Sequence, residues 1–159
     1  MEGLRIVSGG QTGVDRAALD VALALGLACG GWCPRGRRAE DGRIPARYPL
    51  RETRSRDYRV RTEANVRAAD ATLILAEGPL TGGTALTLRL ARHLGRPVRV
   101  VDLAVAPDPA TLEPWLRARG VRTLNVAGPR ESQRPGIGVR ARRWLEAALA
   151  PFAPGHVAQ

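Results

Sequence analysis

A chain of 159 residues is long enough to bury one full core. Its net charge of +10 is carried by arginine with no lysine at all, which favours anionic ligands and partners. No apolar run is long enough to cross a bilayer, the first apolar run lacks a basic flank and is broken at once by glycines, and two cysteines are too few for a disulfide framework. The expectation is a soluble cytoplasmic protein. Nucleic acid is a poor fit as partner, because the arginines are scattered through every segment and aromatic stacking platforms are scarce.

Leu4 to Val7 reads as a strand, followed by Ser8-Gly9-Gly10-Gln11-Thr12-Gly13-Val14-Asp15 and a helix from Val14 to Leu25 that stops at Gly26. A strand that turns through glycines into a helix points free backbone N–H groups at one spot. Thr12 as N-cap with Asp15 three residues on would satisfy two of them. Leu27 to Trp32 fits a second strand. Cys33 to Arg56 shows no period, is punctuated by Pro34, Gly36, Gly42, Pro45 and Pro49, and reads as a long ligand-contacting loop. Tyr58 to Ala69 is a helix and Ala71 to Ala76 a buried strand. Glu77 to Thr84 repeats the glycine turn, and a helix over Ala85 to Leu94 ends at Gly95. Val98 to Val101 is the fourth strand. Asp108 and Pro109 open a helix that ends at Gly120, Arg122 to Val126 is the fifth strand, and the last helix runs from Ile137 to Ala150.

Strands apolar on both faces, alternating with helices, indicate one α/β domain over residues 1–150, with a mostly parallel five-stranded sheet, helices on both faces and a flexible tail over 151–159. Ligands of such sheets settle beyond the carboxyl ends of the strands. Four loops there carry unusual chemistry: Gly9 to Gly13, Cys33 to Arg56, Thr81 to Thr84, and Asn125 to Ser132. Two glycine turns at two helix starts offer two anion sites, so Gly9, Gly10, Gly13, Gly82 and Gly83 are assigned to backbone contacts with phosphate. No Gly-Lys-Ser/Thr of a Walker loop and no spaced G-x-G-x-x-G occurs.

Thr12 and Thr84 either cap helices or also donate hydroxyls to the ligand, and Gln11 offers an amide to a base or ribose. Asp15 is either a favourable charge in the first helical turn or a ribose or metal contact. Arg16 and the loop residues Arg35, Arg37 and Arg38 are phosphate partners or solvated charges. Asn125 and Ser132 flank a turn that binds ligand or packs under the sheet. Trp32 stacks on a heterocycle or fills core. Cys29 and Cys33 have no neighbouring histidine and cannot close a zinc site, so no metal site is expected. His93 sits beside a helix end, His156 lies in the tail, and neither is placed as a general base.

Ser8 to Arg16, Gly31-Trp32-Cys33-Pro34-Arg35-Gly36-Arg37-Arg38-Ala39-Glu40-Asp41-Gly42, Arg61-Thr62-Glu63-Ala64-Asn65-Val66, Gly82-Gly83-Thr84 and Leu124 to Ser132 together resemble the molybdenum cofactor carrier proteins. The likeness runs from Ile6 to the final helix. That family is a circularly permuted branch of the Rossmann-like superfamily that includes the lysine decarboxylase-like phosphoribohydrolases. The resemblance implies a Rossmann-like domain that binds a phosphorylated nucleotide or pterin, the molybdenum cofactor (molybdopterin) among them, and that forms a homodimer or larger homo-oligomer. The phosphoribohydrolase relatives carry a glutamate two to three residues past the threonine of their glycine turn. Leu86 and Thr87 stand there in this chain, so the resemblance points to binding without catalysis. Hydrolysis of an N-glycosidic bond is the alternative, with Glu63 or Asp15 as the substitute carboxylate.

Overall fold

The computed structural model of the chain describes residues 3–157. Its centre is a sheet built from β1 (Arg5–Val7), β2 (Ala28–Gly30), β7 (Ala71–Ala76), β8 (Val98–Asp102) and β9 (Thr123–Ala127), in the order β2-β1-β9-β7-β8. Every pair in it is parallel. The helices are α1 (Val14–Leu25), α2 (Tyr58–Ala68), α3 (Gly82–His93), α4 (Leu112–Ala118) and α5 (Ile137–Leu149). The architecture is α/β and Rossmann-like.

The two faces of the sheet differ because strand residues alternate. Leu4, Ile6, Leu73, Leu75, Leu124 and Val126 join Val14, Ala18 and Val21 of α1, Leu112 and Leu116 of α4, and Ile137, Trp144 and Leu145 of α5 in one large apolar core. Thr72 and Asn125 point the other way and bond to each other, Nδ2 of Asn125 donating to the Thr72 hydroxyl at 3.4 Å. On that side α2 and α3 pack against each other. One face therefore holds the apolar core, and the other leaves room among polar groups.

Several expectations change. The helix α3 begins at Gly82 instead of Ala85 and takes Thr81 as its N-cap, so Thr84 lies inside the first turn and does not cap it. The helix α1 takes Gly13, not Thr12, as its N-cap and receives no side-chain cap bond. The second strand breaks at Gly31, whose φ of 127° only glycine adopts readily. Beyond the break, β3 (Trp32–Cys33) leaves the main sheet and pairs with β6 (Arg51–Glu52). The intervening segment is no structureless loop, since β4 (Arg38–Ala39) and β5 (Gly42–Arg43) form an antiparallel pair. Arg37 organises it by donating to the carbonyls of Ile44, Pro45, Tyr48 and Leu50, and Ile44, Tyr48 and Ala39 pack with Leu19 and Cys33 in a second small core. Past α5 the chain makes a 3-10 turn, Ala150–Phe152, and Phe152 packs against the main core. The last two residues of the expected flexible tail lie outside the described residues.

Candidate functional site

At the carboxyl ends of β1, β9 and β7 lies a cavity of about 530 Å³, within the range of small-molecule sites. The chain runs from β1 to β2 on one side of it and from β7 to β8 on the other, so it opens where the strand order reverses. Of the residues singled out in the sequence, Gly9, Gln11, Asp15, Gly82, Gly83, Thr84 and Asn125 meet around this cavity. Gly10, Thr12, Gly13, Arg16, Arg35, Ser132 and Glu63 are not among its walls.

The two glycine turns face one cavity in different states. At the first, the protein's own groups take part of the anion site. The Asp15 carboxylate accepts from the Gln11 amide at 3.3 Å, the Gln11 side-chain oxygen accepts from the Thr12 amide at 3.1 Å, and the Val14 amide donates to the Pro129 carbonyl at 3.3 Å. Gly13 is pressed against the backbone of Pro129 to Glu131, so no side chain and no ligand fits there. At the second turn, the amides of Gly82, Gly83 and Thr84 find no hydrogen-bond partner among the described residues. A Cβ added to Gly83 would meet nothing within 4 Å. The start of α3, with its three open donors in a row and the positive end of the helix dipole, is the more accessible anion site.

Opposite it stands a cationic wall from α2. Arg61 is only 9% exposed, donates to the Gly9 carbonyl at 2.8 Å and lies 3.8 Å from the Asp15 carboxylate. The guanidiniums of Arg38, Arg61 and Arg130 stand 4.5, 5.3 and 5.8 Å from the centre of the Tyr58 ring, which lines the cavity. An aromatic face stabilises cations brought this close together. Burial pushes the Asp15 carboxyl above its ordinary value, against the pull of Arg61 and the Gln11 amide. A carboxyl so perturbed in a cleft marks a candidate site.

Three buried polar side chains have open valences toward the cavity. Gln11 uses its oxygen on the Thr12 and Glu40 amides, which leaves its Nε2 free. Asn125 bonds only through Nδ2, and the Thr84 hydroxyl has no partner among the described residues. Among the described residues no unpaired side-chain polar atom is sealed from solvent, so these groups reach the open space that their residues line.

The remaining sequence candidates hold the site's rim. Glu40 accepts from the hydroxyls of Thr12 and Ser132 and from the Ser132 amide at 3.2 Å, with Arg130 3.9 Å away. Burial alone would raise the Glu40 carboxyl, but these donors outweigh it and hold the group below the usual glutamate range. Arg16 grips Asp41 with Nη1 and Nη2 and donates through Nε to the Gly10 carbonyl. Together these contacts fasten the 33–56 segment to the first glycine turn. Arg35 is exposed, and Glu63 pairs with Arg67 one turn along α2. Cys33 is fully buried in the small core and Cys29 half-buried, neither lining the cavity, and burial pushes both thiols up.

The sequence reading missed Tyr58, Arg61 and Thr62 as cavity residues, together with Asn65, whose amide clamps the backbone of Trp32 from both sides at 2.8 and 2.9 Å. Their spacing puts them on one face of α2. The clue was available, for α2 has no apolar stripe and these polar residues occupy the buried side instead. Arg130 and Gln133 were passed over because nothing local separates them from the other residues of their turn.

Among the described residues, no helix is long and apolar enough to cross a membrane, and no three His, Cys, Asp or Glu residues gather to hold a metal ion. Among curated proteins none matches the chain. A crystal structure from Syntrophus aciditrophicus SB, described as that of a "putative molybdenum carrier protein", is 42% identical, with 92% of this chain and 94% of that one covered and a TM-score of 0.88. Residues 6–149 match the circularly permutated YpsA SLOG family, and the chain belongs to this family.

Proposed function

We propose that the chain binds a phosphorylated small molecule, of the nucleotide or pterin class, and holds its phosphate at the start of α3. The observation that carries this is the row of unpaired amides at Gly82, Gly83 and Thr84, facing a cavity whose other wall holds Arg61 and Arg130. The phosphate takes the three amides and the Thr84 hydroxyl, with the guanidiniums beside it. Gln11 Nε2 and Asn125 Oδ1 meet the polar edge of the heterocycle. The molybdenum cofactor suits this arrangement as cargo through its phosphate and pterin, which the amides, the guanidiniums and the Gln11 and Asn125 side chains match; among the described residues no thiol or imidazole lines the cavity. The relative described as a putative molybdenum carrier protein supports a cargo that contains molybdenum. Of the two glycine turns, the first serves as a wall rather than a phosphate cradle.

Calorimetric titration with adenosine monophosphate and with the phosphorylated pterin, each against its dephosphorylated form, tests this. The phosphorylated forms are expected to bind at least about tenfold tighter, and Thr84→Val to remove much of that difference. Equal binding of both forms would defeat the proposal. The second reading, hydrolysis of the N-glycosidic bond, is favoured by one observation: Asp15 lies in the cavity with a raised carboxyl, whereas Glu63 does not line it. Base released during the monophosphate titration, and lost in Asp15→Asn, would select it. A cytoplasmic location and pairing with a second copy through helices belong to the proposal on the family likeness. Retention on DNA at physiological salt would instead favour the polyanion reading.

A further inference from the structure

A second hollow of about 350 Å³ adjoins the first, between the segment that follows β7 and the turn that precedes α5. Glu77, Pro79, Leu80, Thr81, Pro129 and Arg134 line it, and it shares Thr84 and Gln133 with the larger cavity. The start of α3 is thus a partition with an open chamber on each side. Thr84 is 6% exposed, its hydroxyl is unpartnered among the described residues, and it belongs to both chambers.

The linings differ in a way that suits the two halves of one ligand. The larger chamber offers amide groups and guanidiniums. The smaller one offers an apolar wall of Pro79, Leu80 and Pro129, with the exposed Arg134 at its edge. Glu77, the carboxylate in this lining, accepts through Oε1 from both Nε and Nη2 of Arg140, which balances its charge. No uncompensated negative charge therefore opposes an anion on this side.

We infer that the ligand is a diphosphate ester with a group on each side: the diphosphate lies across the start of α3, one nucleoside or pterin fills the larger chamber, and a second nucleoside fills the smaller one. The inference rests on the phosphate position proposed above and extends it. One phosphate meets the amides of Gly82 to Thr84, and the other lies between Gln133 and Arg134. The sugar and base of the second half pack on the Pro79-Leu80-Pro129 wall, as an apolar surface beside a few polar groups allows.

The test compares adenosine monophosphate with the symmetric dinucleotide of two adenosines joined through a diphosphate, by calorimetry on the full chain. The dinucleotide is expected to bind at least about tenfold tighter. Leu80→Trp, which fills the smaller chamber, should abolish this gain and leave monophosphate affinity unchanged. Arg134→Ala, a change on an exposed side chain, should reduce the gain several-fold without altering the melting temperature. Monophosphate binding with no gain for the dinucleotide overturns the two-chamber ligand and leaves the phosphate position standing. A gain that survives both substitutions also overturns it. Failure of both compounds to bind overturns the two proposals together.

Discussion

Asp15 shows how one side chain can change the meaning of a motif. A glycine turn at a helix start normally leaves amides for a ligand, yet here the helix's own aspartate folds back and takes the Gln11 amide. The group is buried, and desolvation raises its carboxyl despite Arg61 at 3.8 Å. A carboxyl that binds its proton more tightly when folded contributes stability at pH below its unfolded value of about 3.9. That contribution is lost as pH rises toward the folded value. Thermal melts of the wild type and Asp15→Asn between pH 4 and 7 should therefore differ in slope. The wild type loses stability relative to the variant as Asp15 ionises. Parallel curves across that range would show that Arg61 compensates the buried charge fully. Nothing in the sequence signalled this, because the spacing that suggests a capping box is the same spacing that lets Asp15 reach the turn.

At the scale of elements, the glycines separate into those that let chains approach and those that leave space. A Cβ on Gly128 would press into the Leu75 carbonyl and Val14, joining β7, β9 and α1 too closely, whereas one on Gly83 meets nothing. Gly128→Ala is expected to cost about 1–3 kcal/mol by overpacking and to lower Tm by about 5 °C. Gly83→Ala should stay within about 0.5 kcal/mol of the wild type. Differential scanning calorimetry distinguishes them, and equal losses would mean that the close packing around Gly128 relaxes freely. The apolar strands and the Gly-terminated helices were legible because each carries its own signal: continuous burial in β7, or left-handed residues at Gly26, Gly95 and Gly120. The ladders of the 33–56 segment were not. Pairs of two residues, such as Trp32–Cys33 with Arg51–Glu52, have no room for alternation and depend on partners far along the chain. Their anchor, Arg37 on four carbonyls, looks in sequence like one more charge in a basic run.

Over the whole molecule, the unequal faces of the sheet separate stability from binding. On one side α1 and α5 bury rows of apolar residues, from Val14 to Ala22 and from Ile137 to Leu149. On the other, the buried residues of α2 are Arg61, Asn65 and Val66, and those of α3 are Thr84, Thr87 and Ala91. Helices held by few apolar contacts open locally at lower free energy than those packed in the main core. Amide hydrogens of α2 and α3 should accordingly exchange faster than those of α1 and α5, with the first turn of α3 fastest among them because its donors have no partner. A ligand bound there stabilises only the closed form, so adenosine monophosphate should slow exchange in α2 and α3 and leave α1 and α5 nearly unchanged. Uniform protection across all four helices, with or without ligand, would mean that the sheet and both its faces open as a single unit. The binding side would then have no looseness of its own for a ligand to remove.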